Sequence, residues 1–236
     1  MSRRCRQLAR GFLGRVGYEA AVDLQLRVRE AVRSGAMSDV LLLLEHPPVY
    51  TLGRSADPEE VLLPAAELER RRISVAECDR GGLATYHGPG QLVGYPIIDL
   101  NPDRRDVRRY VRDLQAVLVA TLARFGIEAR GLMEQPEIGV WVGERKIASI
   151  GVHLSRWVTT HGFALNVSTD LAMFGGIVAC GMPMVEMTSI AALTGEAPAL
   201  EDVATACAEE FGRVFERALV PLDLSLEQEG RWATVS

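Results

Sequence analysis

A mixed α/β fold of the α+β type, a mixed β-sheet domain with flanking helices, is predicted by three features of this 236-residue chain. Stretches with apolar residues at helical spacing alternate with short continuous apolar runs. A hairpin pattern lies between residues 138 and 152, and no tract rich in Gly, Pro or Ser divides the chain. Hydrophobic residues make up 48% and charged residues 24%, an ordinary balance for a globular protein with a substantial core. The formal charge of −5 argues against general nucleic-acid binding.

Residues 17–34 read as a helix, with Tyr18, Ala21, Val22 and Val28 near one stripe and Gly35 as its stop. Residues 40–44 are continuously apolar, as in a buried strand, and 49–52 resume as a strand after Pro47 and Pro48. A polar loop with a short helix over 53–72 leads to a strand at 73–77. Residues 92–98 hold a strand interrupted near Gly94. The strongest helix covers 103–125, where Val107, Tyr110, Val111, Leu114, Leu118, Leu122 and Phe125 recur at helical spacing. Asp103 is placed to cap it, and Gly126 follows its end. Its opposite face carries Arg104, Arg105, Arg108, Arg109 and Arg112, which reads either as a solvated basic face or as a docking face for an acidic partner. A hairpin joins 138–142 to 146–152. A strand at 159–167 puts His161, Phe163, Leu165 and Val167 on one face. A helix over 202–219 turns Val203, Cys207, Val214, Phe215 and Ala218 inward. The expected division is an N-terminal tail at 1–13, a single domain at 14–220 and a C-terminal tail at 221–236.

From Gly81 to Ile98 there is no charged residue, yet Gly81, Gly82, Gly88, Gly90, Gly94, Pro89 and Pro96 rule out a membrane helix. Backbone wrapped around a ligand and a buried strand between tight turns both fit. Gly81 and Gly82 allow close approach of main-chain N–H groups, with Arg80 a fixed charge beside them and His87 a titratable group. The uncharged run 171–185 is too short to span a bilayer. With no secretory signal, the expectation is a cytoplasmic chain, no membrane partner and free thiols at Cys5, Cys78, Cys180 and Cys207, whose spacing suits no metal.

Cys180, in GGIVACGMPM, is the candidate nucleophile, and a buried structural thiol is the plainer alternative. A nucleophilic role requires a pKa below the ordinary ~8.5 of a free cysteine. A neighbouring ammonium or imidazolium provides that. Lys146 is the candidate partner. In a regular strand it shares a face with Ala148, Ile150 and Val152, and desolvation there would make it a base near neutral pH; snorkelling to water is the alternative. His87, His153 and His161 are possible acid–base groups or structural histidines. Cys78 is a rival nucleophile that adjacent Asp79 disfavours. Main-chain donors at Gly81, Gly82 or Gly151 are candidates to hold an oxyanion.

Five segments together resemble the lipoyl(octanoyl) transferase family: LLLLEHPPVYTLGR (41–54), RGGLATYHGPGQLVGYPIIDL (80–100), GVWVGERKIASIGVHL (139–154), HGFALNVSTDL (161–171) and ACGM (179–182). The resemblance implies the fold of biotin and lipoate protein ligase catalytic domains, and an acyltransferase that moves an octanoyl group from acyl carrier protein to a lysine of lipoyl domains. Those domains belong to the E2 subunits of 2-oxoacid dehydrogenases and to the glycine-cleavage H protein. It implies no bound cofactor, since the donor brings its own phosphopantetheine, and a monomeric enzyme. It assigns Cys180 as nucleophile and Lys146 as its acid–base partner. It assigns Arg80, Gly81, Gly82, Leu83, Ala84, Thr85, Tyr86, His87, Ser149, Ile150, Gly151, Gly162, Phe163 and Ala164 to the acyl site. The chain departs from the family pattern at Ala179, where proline is common, and at Glu186 and Met187, where glycine and valine are expected. An ATP-dependent lipoate protein ligase on the same fold is the second reading. It needs no Cys180. A non-catalytic module that binds lipoyl domains is the third.

Overall fold

The computed structural model describes residues 6–101, 103–182 and 185–223, without the Cys180 side chain. In chain order the elements are strand β1 (Arg6–Arg15), helix α1 (Tyr18–Ser34), β2 (Asp39–Glu45), β3 (Val49–Leu52), α2 (Ala65–Arg71), β4 (Ser74–Glu77), β5 (Ala84–His87), β6 (Gln91–Ile97), α3 (Val107–Ala123), β7 (Arg130–Leu132), β8 (Gly139–Val142), β9 (Arg145–Ser155), β10 (Val158–Asn166), α4 (Ile190–Thr194), α5 (Leu200–Phe215) and β11 (Arg217–Pro221). Short 3₁₀ turns occupy Pro58–Glu60, Leu171–Gly176 and Ala179–Gly181. The main sheet runs β11-β1-β2-β6-β10-β9-β8-β7, and a small sheet runs β4-β3-β5. β1 is parallel to both its neighbours; from β2 to β7 the main sheet is antiparallel.

The apolar run of β2 has a simple cause. Leu41 and Leu43 enter the core beneath α3 and α5, while Val40, Leu42 and Leu44 meet Ala21, Leu24 and Val28 of α1 on the other face. A strand covered on both sides has no position for a polar residue. The small sheet builds its own core from Tyr50, Ala84, Tyr86, Phe174 and Ile177.

Five expectations are corrected. Residues 6–13, read as tail, belong to β1. The arginines of this segment hide its pattern, and Arg6 is held by Asp39 and Asp103 at 3.1 Å each. The last helix stops at Phe215, where Glu216 takes a left-handed backbone at φ 55°, and the chain continues as β11 with Ala218 exposed. β6 is not interrupted at Gly94. That residue is small because a Cβ there would lie 2.1 Å from the Phe163 ring on the paired strand. α3 is capped by Asp106, whose carboxylate accepts the Arg109 N–H at 3.0 Å; Asp103 instead pairs with Arg6 and Arg217. Its basic face also loses a member. Arg104 is buried, paired with Asp113 and lying 4.8 Å over the Phe215 ring, whereas Arg105, Arg108, Arg109 and Arg112 remain exposed.

Candidate active site

A cavity of about 170 Å³ opens between α1, β5, β6, β9, β10 and the start of α3. That is below the ~300–1,000 Å³ usual for drug-sized ligands and suits a thin chain. Arg80, Gly81, Gly82, Leu83, Thr85, His87, Lys146, Ser149, Ile150, Gly151, Gly162, Phe163 and Ala164 all line it. Ala84 and Tyr86 do not. They alternate to the other face of β5 and pack in the small-sheet core. The sequence reading left out Tyr18, Val93, Tyr95, Val111, Gln135, Pro136, Ile138 and Val152, which also line it. Only folding brings these scattered residues together.

Lys146 is 1% exposed. Its place follows from a β-bulge. Trp141 of β8 pairs with Lys146 but Val140 pairs with Ala148, leaving Ile147 unopposed. The alternation expected from the sequence therefore fails. Ala148 enters the core under the helices, whereas Lys146 lines the cavity with its Nζ 5.5 Å from the Trp141 ring centre.

The backbone of Lys146 is tied to the segment that follows Cys180. Its N–H donates to Glu186 O at 2.8 Å, and its carbonyl accepts the Thr188 N–H at 2.9 Å. Because Glu186 and Met187 join this bridge through main-chain groups, their unusual side chains leave the link intact. Cys180 stands in the Ala179–Gly181 turn; its side chain lies outside the described residues. The turn is placed by Gly181, where a Cβ would come 2.4 Å from Leu83 Cδ1, and Leu83 lines the cavity.

A hydrogen-bonded row fixes the wall opposite. Gln91 Nε2 donates to Tyr86 O at 3.0 Å and to Asn166 Oδ1 at 2.9 Å, so its Oε1 accepts from His87 Nδ1 at 2.8 Å. Asn166 Nδ2 donates to Thr188 O at 3.0 Å. The row thus runs from His87 to the residue bonded to Lys146. Burial holds the His87 pKa well below the ordinary value, so the ring is neutral, with Nδ1 as donor and Nε2 as acceptor. Arg80 is buried. Its Nη2 donates to Thr51 O and Thr51 Oγ1 at 2.8 Å each, while Nε has no hydrogen-bond partner among the described residues. Gly82 sits at φ 96°, a conformation that glycine adopts without steric cost. The Gly81 N–H donates to Val152 O at 3.0 Å and so drops out as an oxyanion donor.

His161 does not share the Phe163 stripe. Its φ of 56° turns the ring aside, and Nε2 lies 2.7 Å from Asp79 Oδ1. His153 lies 3.6 Å from the other Asp79 oxygen. Burial opposes ionisation of Asp79, but the His161 hydrogen bond and the neighbouring imidazoles together hold the carboxyl below its usual range. Cys78 opens onto a second cavity, not the first, with Sγ 3.2 Å from Leu52 O. Cys207 is buried in the core under α3 and α5, which pushes its thiol up to about 12. Among the described residues no group of three His, Cys, Asp or Glu side chains could hold a metal ion, and no helix is long and apolar enough to cross a membrane.

Residues 17–212 match the lipoyl protein ligase A/B catalytic domain family. The chain belongs to that family. An octanoyltransferase of Solibacter usitatus is 50% identical over 210 residues, covering 89% of this chain and 93% of its own. A lipoate-protein ligase A solved with bound ATP aligns with a TM-score of 0.74 at 17% identity, over 95% of this chain and 91% of that one. A biotin protein ligase from Aquifex aeolicus aligns at 0.52 and 13% identity, over 88% and 70%. These two likenesses establish the fold, as the sequence predicted. The chain is an acyltransferase of the family.

Proposed function

We propose that this acyltransferase takes an octanoyl group from the phosphopantetheine thioester of acyl carrier protein and passes it to one lysine of a lipoyl domain, in an E2 subunit or the glycine-cleavage H protein. Cys180 attacks the thioester, the carrier thiol leaves, and an enzyme thioester remains. The acceptor lysine then attacks that carbonyl, forming the amide and freeing Cys180. One covalent intermediate separates the two carrier encounters. The exchange of one thioester for another is nearly balanced, so no nucleotide is required, and the amide draws the reaction forward.

The observation that carries the reading is Lys146, buried in the cavity wall and bonded through its backbone to the segment that follows Cys180. In the acceptor step it takes the proton that the incoming ammonium must lose. The tail lies along Gly151, Gly162 and Phe163, where burial contributes on the order of 0.8 kcal/mol per methylene. Arg105, Arg108 and Arg112 flank Val111, a cavity-lining residue of α3, and supply the charge to steer an acidic carrier. The setting is a reducing cytoplasm.

Intact-mass measurement after brief mixing with octanoyl-acyl carrier protein and no ATP tests this. One octanoyl adduct, labile to hydroxylamine and absent in Cys180→Ser, is expected. Acceptor modification that requires ATP and free fatty acid would instead identify a ligase.

A further inference from the structure

Behind the acyl cavity lies a second one of about 240 Å³, formed by α1, β10 and the segment after β4. Val22, Leu26 and Cys78 form its apolar walls, and Gln25, Glu77, Asp79 and Thr160 its polar ones. One residue, His161, lines both cavities.

That residue is held from three directions. The His161 N–H donates to Gln25 Oε1 at 2.7 Å, Nε2 meets Asp79 at 2.7 Å, and the ring stands edge-on to Tyr95 at 6.1 Å and 86°. The backbone pays a strain cost to present it, since φ is 56° at a residue that is not glycine. Such strain at a cavity wall marks a position whose side-chain direction matters.

Position along the cavity gives this residue a meaning. The nucleophile's turn is marked by Gly181 against Leu83, and the far end by Gly81, bonded to Val152, the β-partner of His161. Gly81 to Leu83 spans at most ~7 Å, and one further strand spacing of ~5 Å reaches His161. An extended eight-carbon chain runs roughly 9 Å at ~1.2 Å per bond. The extended chain falls within that upper limit of ~12 Å.

We propose that the His161 side chain is the end stop of the acyl cavity and sets the longest chain that the enzyme accepts. This rests on the octanoyl-transfer reading above. Burial lowers the pKa of the imidazole, so an uncharged ring meets the alkyl end at neutral pH. Removing the ring joins the two cavities, and the rear one offers Val22 and Leu26 to further methylenes.

The test compares kcat/KM for acyl carrier protein loaded with eight-, ten-, twelve- and fourteen-carbon chains. His161→Gly removes the end stop and tolerates the left-handed backbone. It is expected to raise the twelve-to-eight-carbon ratio at least tenfold. His161→Asn, also tolerant of that backbone, should shift the ratio less. Adding Val22→Trp to His161→Gly refills the rear cavity and should restore the eight-carbon limit. A folded His161→Gly enzyme, active on eight carbons with an unchanged profile, would overturn the proposal. Loss of eight-carbon transfer in both single variants would also overturn it, because His161 would then serve the reaction itself. Failure of the wild type to transfer from any loaded carrier would fault the functional reading instead.

Discussion

Asp39 is 3% exposed and Lys146 is 1% exposed, yet one sits in a closed cluster of ion pairs and the other lines a cavity. Asp39 is enclosed by partners. Its Oδ1 accepts from Arg6 and from the Asp99 N–H, its Oδ2 accepts from Arg217 at 2.9 Å, and Arg217 also reaches Asp103. Two guanidiniums face two carboxylates, and the group joins β1, β2, β11 and the segment before α3. Lys146 lines an open volume whose described walls include Arg80 and His87 but no carboxylate. A closed cluster of ion pairs serves stability, whereas polar side chains along a cavity wall serve a ligand.

The contrast can be broken most sharply at the reacting residues. Cys180→Ser and Lys146→Met should each lower the rate of acyl transfer at least ~10³-fold. Cys180→Ser should melt within a few degrees of wild type, since exchanging sulfur for oxygen leaves the side chain nearly the same size. Transfer rates and thermal melts together check this.

Asp39→Ala should do the reverse. Removing one carboxylate from this buried cluster, with Arg217 left only Asp103, costs up to about 3–5 kcal/mol, read from urea unfolding, while the folded enzyme keeps its kcat. A loss of kcat with stability intact would erase the distinction.

Acid sharpens the comparison from a third direction. His46 is buried between Val16 O and the Tyr95 hydroxyl, at 2.7 Å from each, and burial lowers its pKa to about 4. The unfolded chain, with His near 6.5, binds a proton that the folded chain refuses. Stability contributed by neutral His46 is therefore full above pH ~6.5 and falls by about 3 kcal/mol as the pH drops to about 4. His87 and His161, whose pKa values are also lowered, add to the same slope. Melting His46→Gln across pH 7 to 4 should show a shallower fall than wild type; parallel curves would contradict the assignment.

The smallest effect concerns the exposed arginines. Reversing Arg105, Arg108 and Arg112 to Glu should raise KM for carrier-bound donor about tenfold at low salt and leave small thioester donors unaffected. Equal KM for the carrier in mutant and wild type would remove the docking role.

Much of this arrangement is legible in the sequence because local signals govern it. The β2 run, the α3 periodicity and the glycine segment each announce themselves within twenty residues. What escaped depends on distant partners. The Gly94 gap answers to Phe163, Asp103 answers to Arg6 and Arg217, and β1 is a strand only because β2 and β11 flank it. The bulge at Ile147 and the left-handed turn at His161 escaped for another reason. Both shift a side chain by one position in an otherwise regular strand, and hydrophobic period alone does not report such a shift. These two places aim Lys146 and His161.

The pairing of β1 with β11 also sets an order of assembly. Arg217 and Asp39 are 178 positions apart. On a ribosome adding about 5–20 residues per second, Asp39 waits some ten seconds or more for this partner, and β1 shows an unpaired edge meanwhile. Nascent chains arrested before residue 217 should thus be the aggregation-prone species of this protein, held by chaperones until the last strand arrives.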